Sequence, residues 1–236
     1  MNTNDLGIIV FARIDSMRLP GKALMPLGGI PLLLRVIKRA QLTGVPVYLA
    51  TSDSDNDNEL VRLAEIAGIG VYRGSKDDVL GRALAAARYF NLRAFARLCG
   101  DRPLFSVQEI KDAFSVYNAL VAGGYAPDLI TNHLFKQQAP GLTTEIIDVN
   151  AMERITDVAS LPADREHLTH FIYTHKTAFS IVSLPQINPP STHQGWAVDT
   201  PDDYKRLSYL FDRQPDIDIQ LDDAVRILSH SQFSEP

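Results

Sequence analysis

Three basic residues follow the first apolar segment of the chain at close spacing: Arg13, Arg18 and Lys22. They stand in a loop that carries the turn dipeptide Pro20-Gly21 and comes directly after the β-branched run of residues 7–11. Guanidinium groups bind phosphate oxygens in pairs, and a lysine ammonium adds a point charge. The loop therefore predicts a cradle for a triphosphate, although a basic loop is also typical of a solvated surface.

The loop does not match the common phosphate-binding motifs. A Walker A loop requires Ser or Thr after its Lys, but Lys22 is followed by Ala23. The glycine pattern of dinucleotide-binding folds, G-x-G-x-x-G, is not found in it either. The choice between the two interpretations therefore depends on the residues that accompany the loop.

Two aspartates stand where predicted strands end. Asp101 follows the apolar run of residues 94–99, and Asp199 follows residues 195–198. Ligands of parallel sheets collect outside the carboxyl ends of the strands, so we expect the two carboxylates to hold one Mg²⁺. Gly100 would let a ligand approach the backbone closely. As alternatives, Asp101 can be a turn former, and Asp199 can accept local backbone hydrogen bonds.

The amino-terminal half alternates between short apolar strands and amphipathic helices. Strands are predicted at residues 7–11, 45–51, 70–73 and 94–99, and helices at 31–40, 58–67, 79–90 and from a capping box of Ser106 and Glu109 to residue 120. This rhythm favours an α/β fold with a Rossmann-like, mostly parallel sheet flanked by helices. The basic loop and Asp101 would then lie at the same edge of the sheet.

The carboxyl-terminal half is less regular. Strands are predicted at residues 128–132, 139–148, 179–184 and 195–198, a loop at 188–191, and helices after an Asn150 cap, at 164–173, from Pro201 and at 221–229. No repeat or linker divides the chain. We therefore expect one domain, residues 1–236, with a small β excursion.

Composition limits the class of protein. The chain has 236 residues, 45% of them hydrophobic and 22% charged, with a formal net charge of −5, which argues against nucleic acid as a partner. No apolar run approaches the roughly 20 residues of a membrane-spanning helix, and the amino terminus lacks a basic leader region. Cys99 is the single cysteine and is expected to be a buried structural thiol. A cytoplasmic location without membrane contact is expected.

The stretch from Phe11 to Leu27 resembles a known family. It carries A-R-x-x-S-x-R-L-P-G-K-x-L-x-x-L and resembles the amino-terminal signature of the cytidylyltransferases, in particular their SpsF-like branch of spore coat polysaccharide biosynthesis. That branch is similar to the enzymes that make CMP-activated acidic sugars. The resemblance implies the nucleotide-diphospho-sugar transferase fold, the substrate CTP and the cofactor Mg²⁺. It also implies nucleotide binding by Ala12, Arg13, Ser16 and Gly100.

Residues 73–82, R-G-S-K-D-D-V-L-G-R, resemble a second segment of this family. Its counterpart is the turn R-G-S-E-D-D-V-L-x-R, which lies against the nucleotide and implies that Arg73, Ser75 and Arg82 bind it. Gly81 stands where the family usually has Asp. The plainer alternative is that the acidic residues favour a helix amino terminus and that Arg82 is a surface residue.

Two further segments resemble the SpsF-like patterns G-L-x-x-E and D-R-E-H-x-T. They imply that Glu145, Arg165 and His167 bind the second substrate. Glu145 is also explained by a cross-strand pair. No H-E-x-x-H or C-x-x-C motif accompanies His167, so zinc is not indicated. The family pattern V-D-T-P-x-D-Y occurs around Asp199, but the Arg that usually precedes it is replaced.

The expected function is transfer of CMP from CTP to an anionic acceptor, with release of pyrophosphate. Arg13, Arg18 and Lys22 would stabilise the triphosphate, and the acceptor would be an acidic sugar or a related phosphorylated or phosphonate small molecule. Alternatives are a uridylyl or guanylyl transferase of the same fold and a non-catalytic nucleotide-binding protein. An arm at about residues 128–148 would pair two copies in a homodimer, or form a hairpin on its own domain.

Overall fold

This computed structural model describes residues 5–134, 139–185, 195–231 and 233. These residues form nine strands. They are β1 (Leu6–Phe11), β2 (Pro26–Leu27), β3 (Ile30–Pro31), β4 (Val47–Ser52), β5 (Gly70–Gly74), β6 (Ala94–Cys99), β7 (Leu129–Thr131), β8 (Glu145–Asp148) and β9 (Ile181–Ser183). Strands β2 and β3 form a separate two-stranded ribbon. The other seven form one sheet.

The sheet has the order β5-β4-β1-β6-β8-β7-β9. Its first four strands are parallel, β8 is antiparallel to both of its neighbours, and β7 pairs with β9 in parallel. The expected mostly parallel sheet is thus confirmed. Successive side chains of β1 point to opposite faces, so Ile8 and Val10 join one apolar cluster and Ile9 joins the other.

Helices cover both faces of the sheet. They are α1 (Leu32–Gln41), α2 (Asn58–Ala67), α3 (Val79–Tyr89), α4 (Val107–Ala122), α5 (Val149–Val158), α6 (Pro162–Glu166), α7 (His170–Thr174), α8 (Pro201–Arg213) and α9 (Leu221–Ser229). Buried residues of α1, α2, α4, α8 and α9 belong to the larger apolar cluster, and those of α3, α5 and α7 to the smaller one. None of the helices in the described residues is long and apolar enough to span a membrane.

The amino-terminal half follows the sequence pattern closely. Helix α2 and strand β6 have the predicted bounds, and the other predicted elements there begin and end within two residues of the prediction, whereas β2 and β3 were not predicted. The predicted capping box of α4 is half formed. The Ser106 hydroxyl accepts from the Glu109 backbone N–H, but the Glu109 carboxylate accepts from Asn132 and Thr144 instead of closing the box. A tertiary contact has replaced the local one.

Several predictions for the carboxyl-terminal half are wrong. The predicted strand at 139–148 is reduced to β8. Residues 195–198 form no strand, because the N–H groups of Trp196 and Val198 donate to the carbonyls of two separate loops, at Pro140 and Asp101. The predicted helix at 164–173 breaks after α6, since the Thr169 hydroxyl donates to buried Glu145. The cap of α5 is Asp148 and not Asn150.

The segment from Asp128 to Asp148 has both of its ends in the chain's own sheet, as β7 and β8. This agrees with a hairpin on the same domain, and pairing with a second copy stays a prediction. Residues 135–138 of this segment, and the loop predicted at 188–191, lie outside the described residues.

Candidate functional site

The chain changes direction across the sheet at β1. From β1 it proceeds to β4 and β5 on one side, and then returns to β6 on the other. The loops after β1 and β6 therefore diverge and leave a crevice, which is where open α/β sheets bind ligands. A cavity of about 350 Å³ lies at this point, lined by residues 11–13, 15–18 and 22–23, by the carboxyl end of β6 with Gly100 and Asp101, by Asp199, and by parts of α3 and α6. We call it the switch-point cavity.

Lys22 is the centre of the polar contacts in this cavity. Its Nζ lies 2.6 Å from Asp101 Oδ2 and 2.9 Å from Asp199 Oδ1, and it donates to the Val198 carbonyl at 2.8 Å. The preceding residue, Gly21, has a φ of 71°, a left-handed conformation that favours glycine. Burial acts against the charge of Lys22, but the two aspartates outweigh it and raise its pKa. Three distant segments thus meet at one ammonium group.

The structure shows what the carboxylates of the two aspartates bind. The backbone N–H groups of Asp199 and Thr200 donate to the Asp203 carboxylate, at 3.2 and 2.9 Å. That leaves the carboxylate of Asp199 for Lys22 and for Arg18. The carboxylate of Asp101 likewise binds Lys22. Both aspartates therefore face the switch-point cavity, which they line.

The two arginines of the basic loop line the same cavity and are also paired with carboxylates. Arg18 lies 3.3 Å from Asp199 Oδ1 and its side chain is 70% exposed. Arg13 lies 2.9 Å from Glu166 Oε1 and donates to the Lys76 carbonyl. An exposed ion pair such as that of Arg18 contributes little to stability, so an incoming anion can replace its carboxylate at small cost. The Arg13 pair is partly buried, with the Arg13 side chain 25% exposed.

Four other predicted nucleotide-binding residues line this cavity: Ala12, Ser16, Arg82 and Gly100. A Cβ on Gly100 would lie 3.0 Å from the side chains of Ala12 and Leu33, so close packing favours glycine there whether or not a ligand approaches. Arg82 is buried, against the surface alternative, and its pKa is lowered by burial and by Arg13. Its Nε is buried and has no partner among the described residues.

Arg73 and Ser75 are not among the described residues that line the cavity. The Arg73 guanidinium donates to the carbonyls of Ser52 and Ser54 and to the Asn58 side chain, at 3.0, 2.6 and 2.7 Å. It therefore holds the turn after β4. The Ser75 hydroxyl accepts from the Asp78 N–H in the turn before α3. The structure does not bring these two side chains to the nucleotide-binding residues.

A second cavity of about 420 Å³ adjoins the first, and we call it the side cavity. Its described lining carries three cationic side chains, three histidines and one carboxylate: Arg97, Arg102, Lys176, His133, His167, His170 and Glu145. Glu145 and His167 were both predicted to bind the second substrate. The cations outnumber the carboxylate, so the side cavity favours an anion.

Glu145 and Arg165 both have partners within the fold. Glu145 pairs with Arg97 across two strands, as its plainer alternative predicted. Arg165 is not among the described residues of either cavity, since it donates to the carbonyls of Thr156 and Ala159 and lies 3.3 Å from Asp78. It therefore attaches α6 to α5 and α3. The predicted contact between Arg165 and a second substrate is not supported by this placement.

Asp57 positions the basic loop, and sequence reasoning missed it. Its buried carboxylate accepts from the Ile14 N–H and the Thr51 hydroxyl, each at 2.8 Å, and from both donors of Ser52. Burial opposes its ionisation, but these hydrogen bonds outweigh burial and lower its pKa. The partners lie up to 43 residues away. No local pattern around Asp57 indicates them.

Replacing Asp57 by alanine should destabilise the protein by about 3 kcal/mol, because several buried donors lose a charged acceptor. The pKa of Asp57 is lowered on folding, so its contribution is present above the ordinary value of 3.8 and is lost as pH falls through the folded pKa. Urea unfolding at pH 7 and near pH 3 should show this difference shrinking in acid. The exposed neighbour Asp55 provides the control, and equal stability of Asp55→Ala and Asp57→Ala at pH 7 would contradict the assignment.

Arg97 and Cys99 are two further residues that the sequence analysis did not assign to the site. Both lie on β6 and line the switch-point cavity, so the expectation that Cys99 is buried is wrong. Arg97 is the one charge in the run Phe95-Ala96-Arg97-Leu98-Cys99, and that interruption is the signal by which it could have been found.

The described residues contain no group of three or more His, Cys, Asp or Glu side chains arranged to hold a metal ion. The two carboxylates beside Lys22 nevertheless fit a magnesium ion bound partly by its ligand, because Mg²⁺ in phosphate sites takes one or two protein carboxylates and completes its shell with phosphate oxygens and water. Both side chains are partly exposed.

Comparison with known proteins gives consistent matches. Residues 7–227 match the sequence model of a family described as Cytidylyltransferase. The chain is 27% identical over 228 residues to the spore coat polysaccharide biosynthesis protein SpsF of Bacillus subtilis, which covers 91% of this chain and 90% of that protein. It is also 27% identical over 182 residues to the 3-deoxy-manno-octulosonate cytidylyltransferase of Sodalis glossinidius, a match that covers 71% of this chain and 70% of that protein.

A solved structure is similar over nearly the full length of both chains. It is that of a cytidylyltransferase from Leptospira borgpetersenii, with a TM-score of 0.86, 24% identity, and coverage of 95% of this chain and 94% of that one. This likeness confirms the fold.

Proposed function

Because the chain belongs to the cytidylyltransferase family, we propose that it transfers CMP from CTP to an anionic acceptor and releases pyrophosphate. The observation that carries this proposal is the convergence of Lys22, Asp101 and Asp199 in the switch-point cavity. Arg13 and Arg18 line the same cavity. A charged centre of this kind suits a metal-bound triphosphate, which needs cations for its oxygens and carboxylates for its metal.

The reaction places simple demands on the protein. An acceptor oxygen attacks the α-phosphorus, the bond to the bridging oxygen of the β-phosphate breaks, and pyrophosphate leaves with the negative charge. Positioning and charge stabilisation therefore supply most of the catalysis. Arg13, Arg18 and Lys22 would bind the triphosphate oxygens and stabilise the departing pyrophosphate. No protein nucleophile is required.

Asp101 and Asp199 would hold the Mg²⁺ that accompanies the triphosphate. Such an ion neutralises phosphate charge and orients the leaving group. The two carboxylates lie within hydrogen-bond distance of one nitrogen, so they are close enough to serve a single ion. Lys22 would contribute a fixed positive charge at the same place.

The side cavity would bind the acceptor. It adjoins the nucleotide-binding residues, and its described lining includes the cations Arg97, Arg102 and Lys176. Such a lining suits a carboxylate, phosphate or phosphonate group. The relative named for 3-deoxy-manno-octulosonate supports an acidic sugar as the acceptor. His167, which lines both cavities, would contact the acceptor near the point of transfer.

The first test is a comparison of CTP, UTP and GTP by thermal unfolding with MgCl₂ present. A ligand at 100 times its dissociation constant stabilises the folded protein by ~2.7 kcal/mol. For a chain of this size that corresponds to a rise in Tm of about 5–10 °C. We expect CTP to give the largest rise. A larger rise with UTP or GTP would instead support a uridylyl or guanylyl transferase.

Catalysis is tested by pyrophosphate release from CTP with a panel of acidic sugars, sugar phosphates and phosphonates. The proposal expects release that depends on one class of acceptor. CTP binding without release for any acceptor would favour the non-catalytic nucleotide-binding alternative.

A further inference from the structure

Arg97 lies where the two cavities meet. Among the described residues, it and His167 are the two that line both. Arg97 is in the second half of β6, which pairs with β8 in a register that matches Ala96 with Ile146. Continuing that register by one residue sets Arg97 opposite Glu145. Its position is therefore determined by the sheet and not by a loop.

One edge of the Arg97 guanidinium is held by Glu145. Glu145 is 3% exposed, and its Oε2 accepts from Arg97 NH1 at 2.8 Å. Its Oε1 accepts from the hydroxyls of Thr169 and Tyr173, at 3.0 and 2.9 Å. Burial opposes the ionisation of Glu145, but Arg97 outweighs it and lowers the pKa. Glu145 is thus a charged support whose oxygens are already occupied.

The rest of the guanidinium is available to a ligand. An arginine has five N–H donors, and the bond to Glu145 is the one hydrogen bond that Arg97 makes with the described residues. None of its nitrogens is buried without a partner. The side chain is 21% exposed, so its remaining donors open towards the cavities that it lines.

We infer that Arg97 contacts the phosphoryl group that is transferred. The inference rests on the proposed function: if the nucleotide occupies the switch-point cavity and the acceptor the side cavity, the α-phosphate must lie at their junction. Arg97 is the residue of permanent positive charge placed there, and a guanidinium binds two oxygens of one phosphoryl group through parallel hydrogen bonds. Charge grows around the α-phosphorus during the attack, so this contact would stabilise the transition state. Glu145 is the positioning residue behind it.

This assignment predicts a division of labour among the cations. Arg13, Arg18 and Lys22 come from the loop after β1 and would bind the β- and γ-phosphates, whereas Arg97 would bind the α-phosphate. CMP carries the α-phosphate alone. Binding of CMP should therefore depend on Arg97, and binding of cytidine should not.

The test measures the affinities of CMP and cytidine by isothermal titration calorimetry, with no acceptor required. Arg97→Met should weaken CMP binding at least tenfold and change cytidine binding less than twofold. Since removing Arg97 alone leaves Glu145 buried without its partner, the double variant Arg97→Met, Glu145→Gln is measured in parallel, with its folding checked by circular dichroism and Tm. Arg97→Lys should recover part of the CMP affinity. Arg88→Met, which removes an exposed arginine paired with Glu153, is the control for loss of one charge.

The results separate this inference from the proposed function. CMP binding within twofold of wild type in a folded double variant overturns the role of Arg97, and so does an equal loss for CMP and cytidine. If Arg97 serves the anionic group of the acceptor instead, CMP binding stays unchanged and the inference is likewise overturned. If the wild-type protein binds neither CTP nor CMP, the proposed function fails first and this inference with it.

Discussion

Replacing Lys22 by methionine should lower the rate of CMP transfer by on the order of 10²-fold or more while the protein stays folded. The estimate follows from the loss of one preorganised charge at a centre where negative charge develops. Methionine keeps much of the side-chain volume. The carboxylates left behind, Asp101 and Asp199, are partly exposed and can be hydrated. The measurement is pyrophosphate release from CTP, with unfolding followed separately.

Lys205→Met is the matched control for Lys22→Met. Lys205 is an exposed lysine paired with Asp202, so its loss should leave the rate unchanged. Activity above a tenth of the wild-type rate in Lys22→Met would remove Lys22 from the catalytic role.

The stability of the protein gives a second check on Lys22. Because the pKa of Lys22 is raised on folding, its ion pairs stabilise the protein at neutral pH, and this stabilisation is lost only as pH rises past 10.5 through the folded pKa.

Asparagine at Asp101 or Asp199 should also reduce transfer by on the order of 10²-fold, and should raise the Mg²⁺ concentration needed for half-maximal rate. The amide keeps the shape of the side chain and one oxygen acceptor for Lys22, but it removes the negative charge. The defect should therefore lie in metal binding and catalysis more than in folding. The measurement is the rate of pyrophosphate release across a MgCl₂ titration.

Asp202→Asn is the control for these two variants, because Asp202 is an exposed carboxylate on α8 close in sequence to Asp199. It should behave as wild type in both rate and Mg²⁺ requirement. An unchanged Mg²⁺ requirement in Asp101→Asn and Asp199→Asn would contradict the proposed metal site. It would leave the two carboxylates with the single role of holding Lys22.

The prediction of elements succeeded where structure is decided locally. The apolar run of β1, the start of α8 at Pro201, and the period of α2 are each contained within about ten residues. Propensity, capping and alternation act over that range. The predictions failed where a distant partner decided the outcome, as when Thr169 bonds to Glu145 and ends a helix that the local pattern would continue.

The candidate site also divides into features that the local sequence predicts and features that distant partners decide. The sequence placed Arg13, Arg18, Lys22, Asp101 and Asp199 at strand ends, because turn residues and apolar runs mark those ends. The family resemblance assigned Arg73 to the nucleotide, but in the structure its guanidinium makes three hydrogen bonds that hold the turn after β4. A side chain of fixed charge can serve a ligand or the fold. Local sequence does not distinguish the two.

The sequence by itself determined the α/β class, the family resemblance, and the presence of a basic loop and two aspartates at the ends of their segments. Only the tertiary structure decided that both aspartates meet Lys22, that Asp57 holds the loop, and that Arg97 joins two cavities. The physical reason is that hydrophobic period and turn chemistry are short-range, whereas the crossover order of the strands determines which ends become neighbours. Asp101, which is 79 positions from Lys22, reaches its ammonium because β1 and β6 lie side by side at the centre of the sheet. Asp199, which is 177 positions away, reaches it beside Asp101, whose carbonyl accepts from the Val198 N–H.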